Sequence, residues 1–161
     1  LSLLSRANNK ICNFDQQQEI TQELVKKIIS NNATNAIEIA SLLLKGERII
    51  ALSKIKSLLE NGEPALRLIA TLTGQSRGWL WVNLLDRQGN LDVKEIAKLA
   101  GINNPKRVFV IRKQIQGIPS EKLLELMKKL LKIEASIKRG LNPIDSFKDN
   151  LLTESKILTN N

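Results

Sequence analysis

Histidine is absent from the 161 residues, and Cys12 is the only thiol. Imidazole-based acid–base catalysis and Cys/His metal sites are therefore excluded. Cys12 lies in a polar stretch without a neighbouring base, which indicates an unreactive thiol and fits a reducing cytosol. The carboxylates are scattered and form no visible catalytic pair. We therefore predict no catalytic residue, metal site, cofactor or enzyme activity for this chain.

Phosphate-binding loops and long apolar runs are also missing. Neither G-x-x-x-x-G-K-[ST] nor G-x-G-x-x-G occurs, so we expect no ATP hydrolysis. The least charged long segment, residues 64–85, still carries Arg67 and Arg77, which indicates a buried helix rather than a membrane span. No secretory signal opens the sequence. The expectation is a cytoplasmic protein with no membrane partner.

Aromatic residues are few, with three Phe, two Trp and no Tyr, while 42% of the residues are hydrophobic. The core must therefore consist of Leu, Ile, Val and Ala, which is typical of packed helices. Glycines recur where helices should end, and Ser, Thr, Asn or Pro recur where they should begin. The sequence predicts an all-α helical bundle of about six or seven helices.

The polar run "SNNATN" is the best candidate for a domain junction, near residue 33. It divides the sequence into an N-terminal part with a linker (1–33), a helical domain (34–152) and a flexible tail (153–161). In the helical domain we predict helices ending at Gly46 and before Gly62, followed by helices over about 64–87, 93–100, 105–116, 120–139 and 143–152. Their expected boundary residues are Gly62 and Pro64 between the second and third helices, and Asp92 and Ser120 as N-caps. The expected apolar face of the second helix is Ile49, Ile50, Leu52, Ile55, Leu58 and Leu59.

The longest predicted helix contains Gly74 and Gly78 one turn apart. Each costs roughly 1 kcal/mol relative to alanine inside a helix, so each should have a reason. One explanation is a groove that admits a partner's helix; the other, which we favour, is close packing within the domain. Trp79 and Trp81 point to different sides of this helix, so one is expected in the core and the other is available for an interface.

The stretch "VKEIAKLAGINNPKRVFVIRK", residues 93–113, resembles a helix-turn-helix, with Ala97, Gly101 and Ile102 in suitable places. The DNA-reading form also needs apolar residues six and nine positions after the glycine, where this sequence has Arg107 and Val110. A plain helix hairpin is the alternative. In the DNA-reading case, the residues expected to contact bases are Lys106, Arg107, Arg112 and Lys113.

Positive charge is concentrated in one part of the sequence. The net charge is +9, and residues 106–139 carry ten Lys or Arg against three Glu. This excess suits proximity to a polyanion, including DNA or RNA binding without sequence preference. Lys138 and Arg139 end the last long helix, where their charges also complement the helix dipole.

Three segments resemble, in order, the C-terminal part of the bacterial DNA polymerase III delta subunit: "GEPALRLIATLTGQSRGWLWV", "VKEIAKLAGINNPKRVFVIRKQ" and "SEKLLELMKKLLKIEASIKRGLNP". The resemblance covers about residues 20–152, and "EITQELVKKII" is similar to the end of the AAA+ lid-like domain that precedes the family's collar domain. The sequence departs from the family at Asn104, Arg139 and the Trp pair, so no family contact residue is carried over. The residues that carry the resemblance are Gly62, Glu63, Pro64, Glu95 to Lys98, Gly101, Pro105, Glu134, Ile137, Lys138 and Gly140.

The resemblance implies a clamp-loader protein, part of the assembly that places the sliding clamp on primed DNA. The collar domain would hold the loader's subunits in a ring by helix packing, without an ATP site of its own. The implied partners are the ATP-binding motor subunits, delta-prime and DNA in the assembly, with the sliding clamp contacted only by an N-terminal domain outside the resembled region. A helix-turn-helix or general basic DNA-binding protein remains the alternative. Candidate interface or DNA-proximal residues are Gly74, Gly78, Trp79, Trp81, Lys106, Arg107, Arg112, Lys113, Lys138 and Arg139.

Overall fold

The computed structural model describes residues 35–152, which form seven α-helices and contain no strand. The all-α prediction is confirmed. In chain order the helices are α1 (35–45), α2 (Arg48–Glu60), α3 (Ala65–Gln88), α4 (Val93–Leu99), α5 (Lys106–Gln114), α6 (Ser120–Lys138) and α7 (Pro143–Leu152).

Helix α3 lies at the centre of the described part. It packs against α6 along much of its length and against the short helices α4 and α5, while α6 in turn packs against α7, and α7 against α2. Trp79 and Phe147 are fully buried, and aliphatic side chains surround them. The remaining fully buried large side chains are Ile39, Ile55, Leu68, Ile69, Leu72, Ile96, Leu123, Leu130, Ile133 and Leu151.

In the turn between α2 and α3, the glycine takes the expected conformation, but the helix begins one residue after the predicted proline. Gly62 has φ +84°, a left-handed conformation in which an L side chain would be strained. Pro64 has extended backbone with ψ 125° and precedes the helix, so Ala65, not Pro64, is the first helical residue. The fixed φ of proline is compatible with either position.

The predicted apolar face of α2 is wrong at its start. Ile49 and Ile50 are 78% and 50% exposed, whereas Ala51, Ile55 and Leu58 are buried. The six predicted apolar positions are spread around too much of the helix circumference for a single packed helix to cover them all. Ala51, Ile55 and Leu58 share one side at helical spacing, and Ile49 lies nearly opposite them.

The two predicted N-caps differ in outcome. Asp92 is confirmed: its Oδ1 accepts from the Glu95 backbone N–H at 2.8 Å, and the Glu95 carboxylate accepts from the Asp92 N–H at 2.9 Å. Ser120 is wrong as a cap, because it is the first helical residue and Pro119 precedes it with extended backbone. The buried Ser120 hydroxyl donates instead to Asn83 Oδ1 and so links α6 to α3.

Residues 1–34 and 153–161 lie outside the described part, and so do the predicted end of a preceding domain and the predicted flexible tail. Within residues 35–152, every helix is too short or too polar to cross a lipid bilayer.

Candidate assembly surface

The two tryptophans of α3 have opposite environments, as their spacing predicts. Trp79 is fully buried, and its Nε1–H donates to Gln114 Oε1 of α5 at 2.9 Å. Trp79 is therefore not an interface residue, because a partner cannot reach it. Trp81 is 45% exposed and remains a candidate.

Trp81 belongs to a continuous exposed stripe on α3. Leu66, Trp81 and Leu84 are each at least 40% exposed. The stripe follows spacings of three and four residues, so its members lie on one side of the helix. Its full set is Leu66, Ala70, Gly74, Arg77, Trp81 and Leu84, which includes a single charge.

Helix α6 carries two further exposed leucines, Leu124 and Leu131, seven residues apart. The hydrogen bond between Ser120 and Asn83 joins the start of α6 to a point near the end of α3. Only five residues of α3 remain beyond Asn83, so α6 can pack along α3 only by running back towards the start of α3. The pair is antiparallel.

Helical rotation relates these two sets of exposed side chains. Viewed from each helix's own N-terminus, Leu84 follows Asn83 by 100°, and Leu124 follows Ser120 by about 40° in the same sense. In an antiparallel pair, equal senses of rotation lead to the same side of the pair. We call this side the apolar face. Its large side chains are Leu66, Leu84, Leu124 and Leu131, and Trp81, which follows Asn83 by about 160°, lies at its outer edge. Of these side chains, only Trp81 was predicted from the sequence. The four leucines were not, because their exposure on a packed helix pair depends on the fold and has no local sequence signal.

Gly74 and Gly78 line a cleft rather than a tight helix contact. A Cβ built on Gly74 meets nothing within 4 Å, and one on Gly78 meets only Ile111 Cδ1 at an ordinary 3.9 Å. The cleft has a volume of about 400 Å³ and lies between α3 and the α4–α5 hairpin. The favoured explanation, close packing within the domain, is therefore wrong for Gly74. At Gly78 the neighbouring side chain would also leave room for a Cβ, so close packing does not require a glycine there.

The α4–α5 hairpin packs in a register different from the DNA-reading motif. Ala97 is buried and Gly101 has φ +68°, in agreement with the small residue and the turn glycine. Val108 and Ile111 are the buried residues that hold α5 in place. Arg107 and Val110 occupy the positions that the motif requires to be apolar and buried, and both are exposed.

Arg112 is engaged inside the domain. Its Nε donates to Asp86 Oδ2 at 3.0 Å and its Nη2 to Asp86 Oδ1 at 2.6 Å, so the pair joins α5 to α3 bidentately. These hydrogen bonds raise the pKa of Arg112 above the ordinary arginine value, and partial burial opposes them. The guanidinium also lies 5.8 Å from the centre of the Phe109 ring. A residue held in this way is a poor candidate for reading bases.

The other basic candidates divide into two groups. Lys106, Arg107 and Lys113 are exposed on α5. At the far end of α6, Lys138 pairs with Glu134, and Arg139 Nε donates to the Ala135 carbonyl. Each of the two helices packs mainly against α3 rather than against the other. The charge excess of residues 106–139 is therefore divided between two elements.

Comparison with known proteins agrees with this architecture. The family model described as DNA polymerase III delta subunit, C-terminal domain, matches residues 34–154. The fold is similar to that of the Bacillus subtilis DNA clamp loader delta protein, with a TM-score of 0.62 and 24% identity. That match covers 89% of this chain and 43% of the other, so this chain spans less than half of that protein's length.

No curated protein sequence matches at a significant level. The structural likeness establishes the fold, and the family match, which includes most of the sequence, establishes the relationship. The chain belongs to the family of C-terminal domains of the DNA polymerase III delta subunit.

Proposed function

We propose that this domain is the collar of a clamp-loader delta subunit, an assembly module that supports the loading of the sliding clamp on primed DNA during replication. It contributes by helix packing and performs no catalytic step. The observation that carries the proposal is the apolar face of α3 and α6, five large exposed side chains in a domain of the delta C-terminal family.

The composition of the apolar face supports a protein contact. An exposed tryptophan is the type of residue that dominates binding energy at protein interfaces, and Leu84 lies one helical turn beyond Trp81. Full burial of a leucine-sized side chain contributes about 1.5–3 kcal/mol, so even partial cover of this face favours association. A stable contact needs about 800 Å² from each partner, which neighbouring helices would complete.

The proposed partners are the ATP-binding motor subunits and delta-prime, with DNA present in the assembly. Contact with the sliding clamp is assigned to an N-terminal domain outside the matched residues. The lack of a phosphate-binding loop fits a protein that depends on its neighbours for ATP hydrolysis. A cytoplasmic location follows from this role.

The test is the mass of the complex by light scattering, at salt high enough to screen surface charges. The full chain is mixed with the motor subunits and delta-prime of the same organism. A stoichiometric complex that persists at high salt is the expected result, since apolar contacts are insensitive to screening. The absence of any complex, both at this salt concentration and in a repeat at low salt, would refute the assembly role.

A second candidate function, DNA binding without sequence preference, is favoured by the exposed face of α5. Lys106 and Lys113 flank Phe109 and Val110, which are both more than half exposed. Cations with an interposed aromatic ring are suited to a nucleic-acid strand. This function predicts salt-sensitive binding that is lost in K106Q/K113Q, whereas the assembly role predicts an unchanged clamp-loader complex in that variant.

A further inference from the structure

The cleft between α3 and the α4–α5 hairpin has an open floor and positive charge that no carboxylate within residues 35–152 pairs. We propose that it binds an acidic peptide segment of a partner protein, with carboxylates facing Arg77 and Arg107. This site borders the apolar face, because Gly74 and Arg77 also belong to the exposed stripe on α3, but it does not depend on the proposed collar function. We call it the glycine cleft; its lining includes Gly74, Gly78, Gly101, Arg77, Arg107 and Ile111.

The charge of the cleft is not balanced within the described part of the chain. Arg107 Nη2 donates to Gln75 Oε1 at 2.9 Å, a neutral partner that orients the guanidinium beside the opening. Neither Arg77 nor Arg107 forms an ion pair within residues 35–152, and no carboxylate belongs to the lining. By contrast, Arg112 on the same helix as Arg107 is satisfied by Asp86. Two unpaired guanidiniums at one opening are complementary to carboxylates, which arginine binds bidentately.

The floor of the cleft favours a peptide over a nucleic-acid strand. Gly74, Gly78 and Gly101 have no side chains, so a partner backbone can approach α3 closely. The partly exposed side chain of Ile102 adds apolar surface that an aliphatic side chain can cover. A phosphodiester backbone has no aliphatic group to place against Ile102, so the apolar part of the floor favours a peptide. The fitting ligand therefore combines acidic residues with an adjacent aliphatic side chain.

The volume is consistent with such a segment. At about 400 Å³, the cleft falls within the range of about 300–1,000 Å³ typical of ligand sites in proteins. It is therefore large enough for a few side chains, rather than for a single ion.

Titration by two-dimensional amide NMR of the full chain tests the site directly. The probe is a short peptide of Glu, Leu and Ala, and the matched control peptide has Gln in place of every Glu. We expect the Glu peptide to shift the amide signals of Gly74, Gly78 and Gly101, and to leave those of Gly46, Gly62 and Gly140 unchanged. Equal binding of both peptides, or shifts confined to glycines outside the cleft, would overturn the proposal.

Two variants test the site by separate means. R77Q/R107Q removes the charge, and we expect it to weaken binding of the Glu peptide by about tenfold or more. Gly74→Leu fills the cleft at a position with free space and a better helix former, so it should block the peptide while the chain stays folded. Circular dichroism and thermal melting check that the helices remain.

The matched control is R87Q/K94Q, which removes the same net charge from exposed positions outside the lining. We expect it to bind the Glu peptide as the unaltered chain does. If both charge variants weaken binding equally, the effect is one of net charge and the proposed site is wrong. If a thymidine oligonucleotide shifts the cleft glycines and the Glu peptide does not, the ligand is nucleic acid and the proposal fails.

Discussion

Helices α3 and α6 pack against each other, yet they differ in how their polar residues are distributed. The 19 residues of α6 include eight charged ones, mostly on the side away from its neighbours, while the 24 residues of α3 include four. A helix with apolar residues on opposite sides is typical of a position covered by neighbours all round. Helix α3 is covered by α6, α4 and α5, but its exposed stripe, which includes Trp81, is left uncovered within residues 35–152. Under the proposed function, a partner covers this stripe.

The strongest test of this difference is to truncate each tryptophan of α3. Trp79→Ala removes a fully buried side chain and the shorter of the two hydrogen bonds that Gln114 Oε1 accepts, leaving only the one from Gln75 Nε2 at 3.5 Å. We therefore expect a loss of about 3–5 kcal/mol in the free energy of unfolding. Trp81→Ala should change it by less than about 0.5 kcal/mol. Urea denaturation followed by circular dichroism measures both. Similar losses in the two variants would contradict the assignment of inner and outer sides.

The apolar face can be tested by its effect on assembly of the clamp loader. Under the proposed function, we expect Trp81→Ala and Leu84→Ala to weaken the complex with the motor subunits and delta-prime, by about 2 kcal/mol or more for the tryptophan, because both remove apolar contact area. Leu99→Ala is the matched control, since Leu99 is also an exposed leucine but lies on α4. Calorimetric titration gives the dissociation constants. An equal effect of Leu99→Ala would show that the apolar face has no special role.

The ion pair between Arg112 and Asp86 tests how α5 is held on α3. We expect Asp86→Asn to lower the free energy of unfolding by about 1–2 kcal/mol, because a bidentate charged hydrogen bond at a partly exposed site is lost. A double-mutant cycle with Arg112→Gln isolates the pair from other effects. A coupling energy near zero would mean that apolar packing of Val108 and Ile111 alone holds α5.

The smallest expected effects come from the glycines, and they have opposite signs. Gly74→Ala should stabilise the fold by about 0.5–1 kcal/mol, because alanine favours the helix and the new Cβ meets no neighbour. Gly62→Ala should destabilise it by about 1 kcal/mol, because φ is +84° there. Thermal melting compares the two variants. A destabilised Gly74→Ala variant would indicate that this part of α3 is more crowded than the structure shows.

The helices themselves could be predicted because their signals are local. Gly62 stops α2 and Asp92 begins α4, each within a few residues of sequence. Ser120 shows where local reasoning failed. Its side chain suits an N-cap, but a hydrogen bond to Asn83, which is distant in sequence, engages it instead.

The candidate surfaces depended on contacts between distant residues. The spacing of Trp79 and Trp81 requires them to point apart, but only the position of α5 decides that Trp79 is the buried one. Gly74 and Gly78 could be explained by packing or by a groove until the α4–α5 hairpin was placed beside them. The excess of basic residues was evident from the sequence, whereas its division between α5 and α6 was not.

The amino-acid sequence by itself determined an all-helical chain, the approximate ends of its helices and the resemblance to the delta C-terminal family, because these depend on residue type and short-range spacing. Only the tertiary structure decided which side of α3 is covered, which arginines are paired and where a cleft opens. Burial and charge pairing arise when elements far apart in the sequence meet, so no local pattern can assign them.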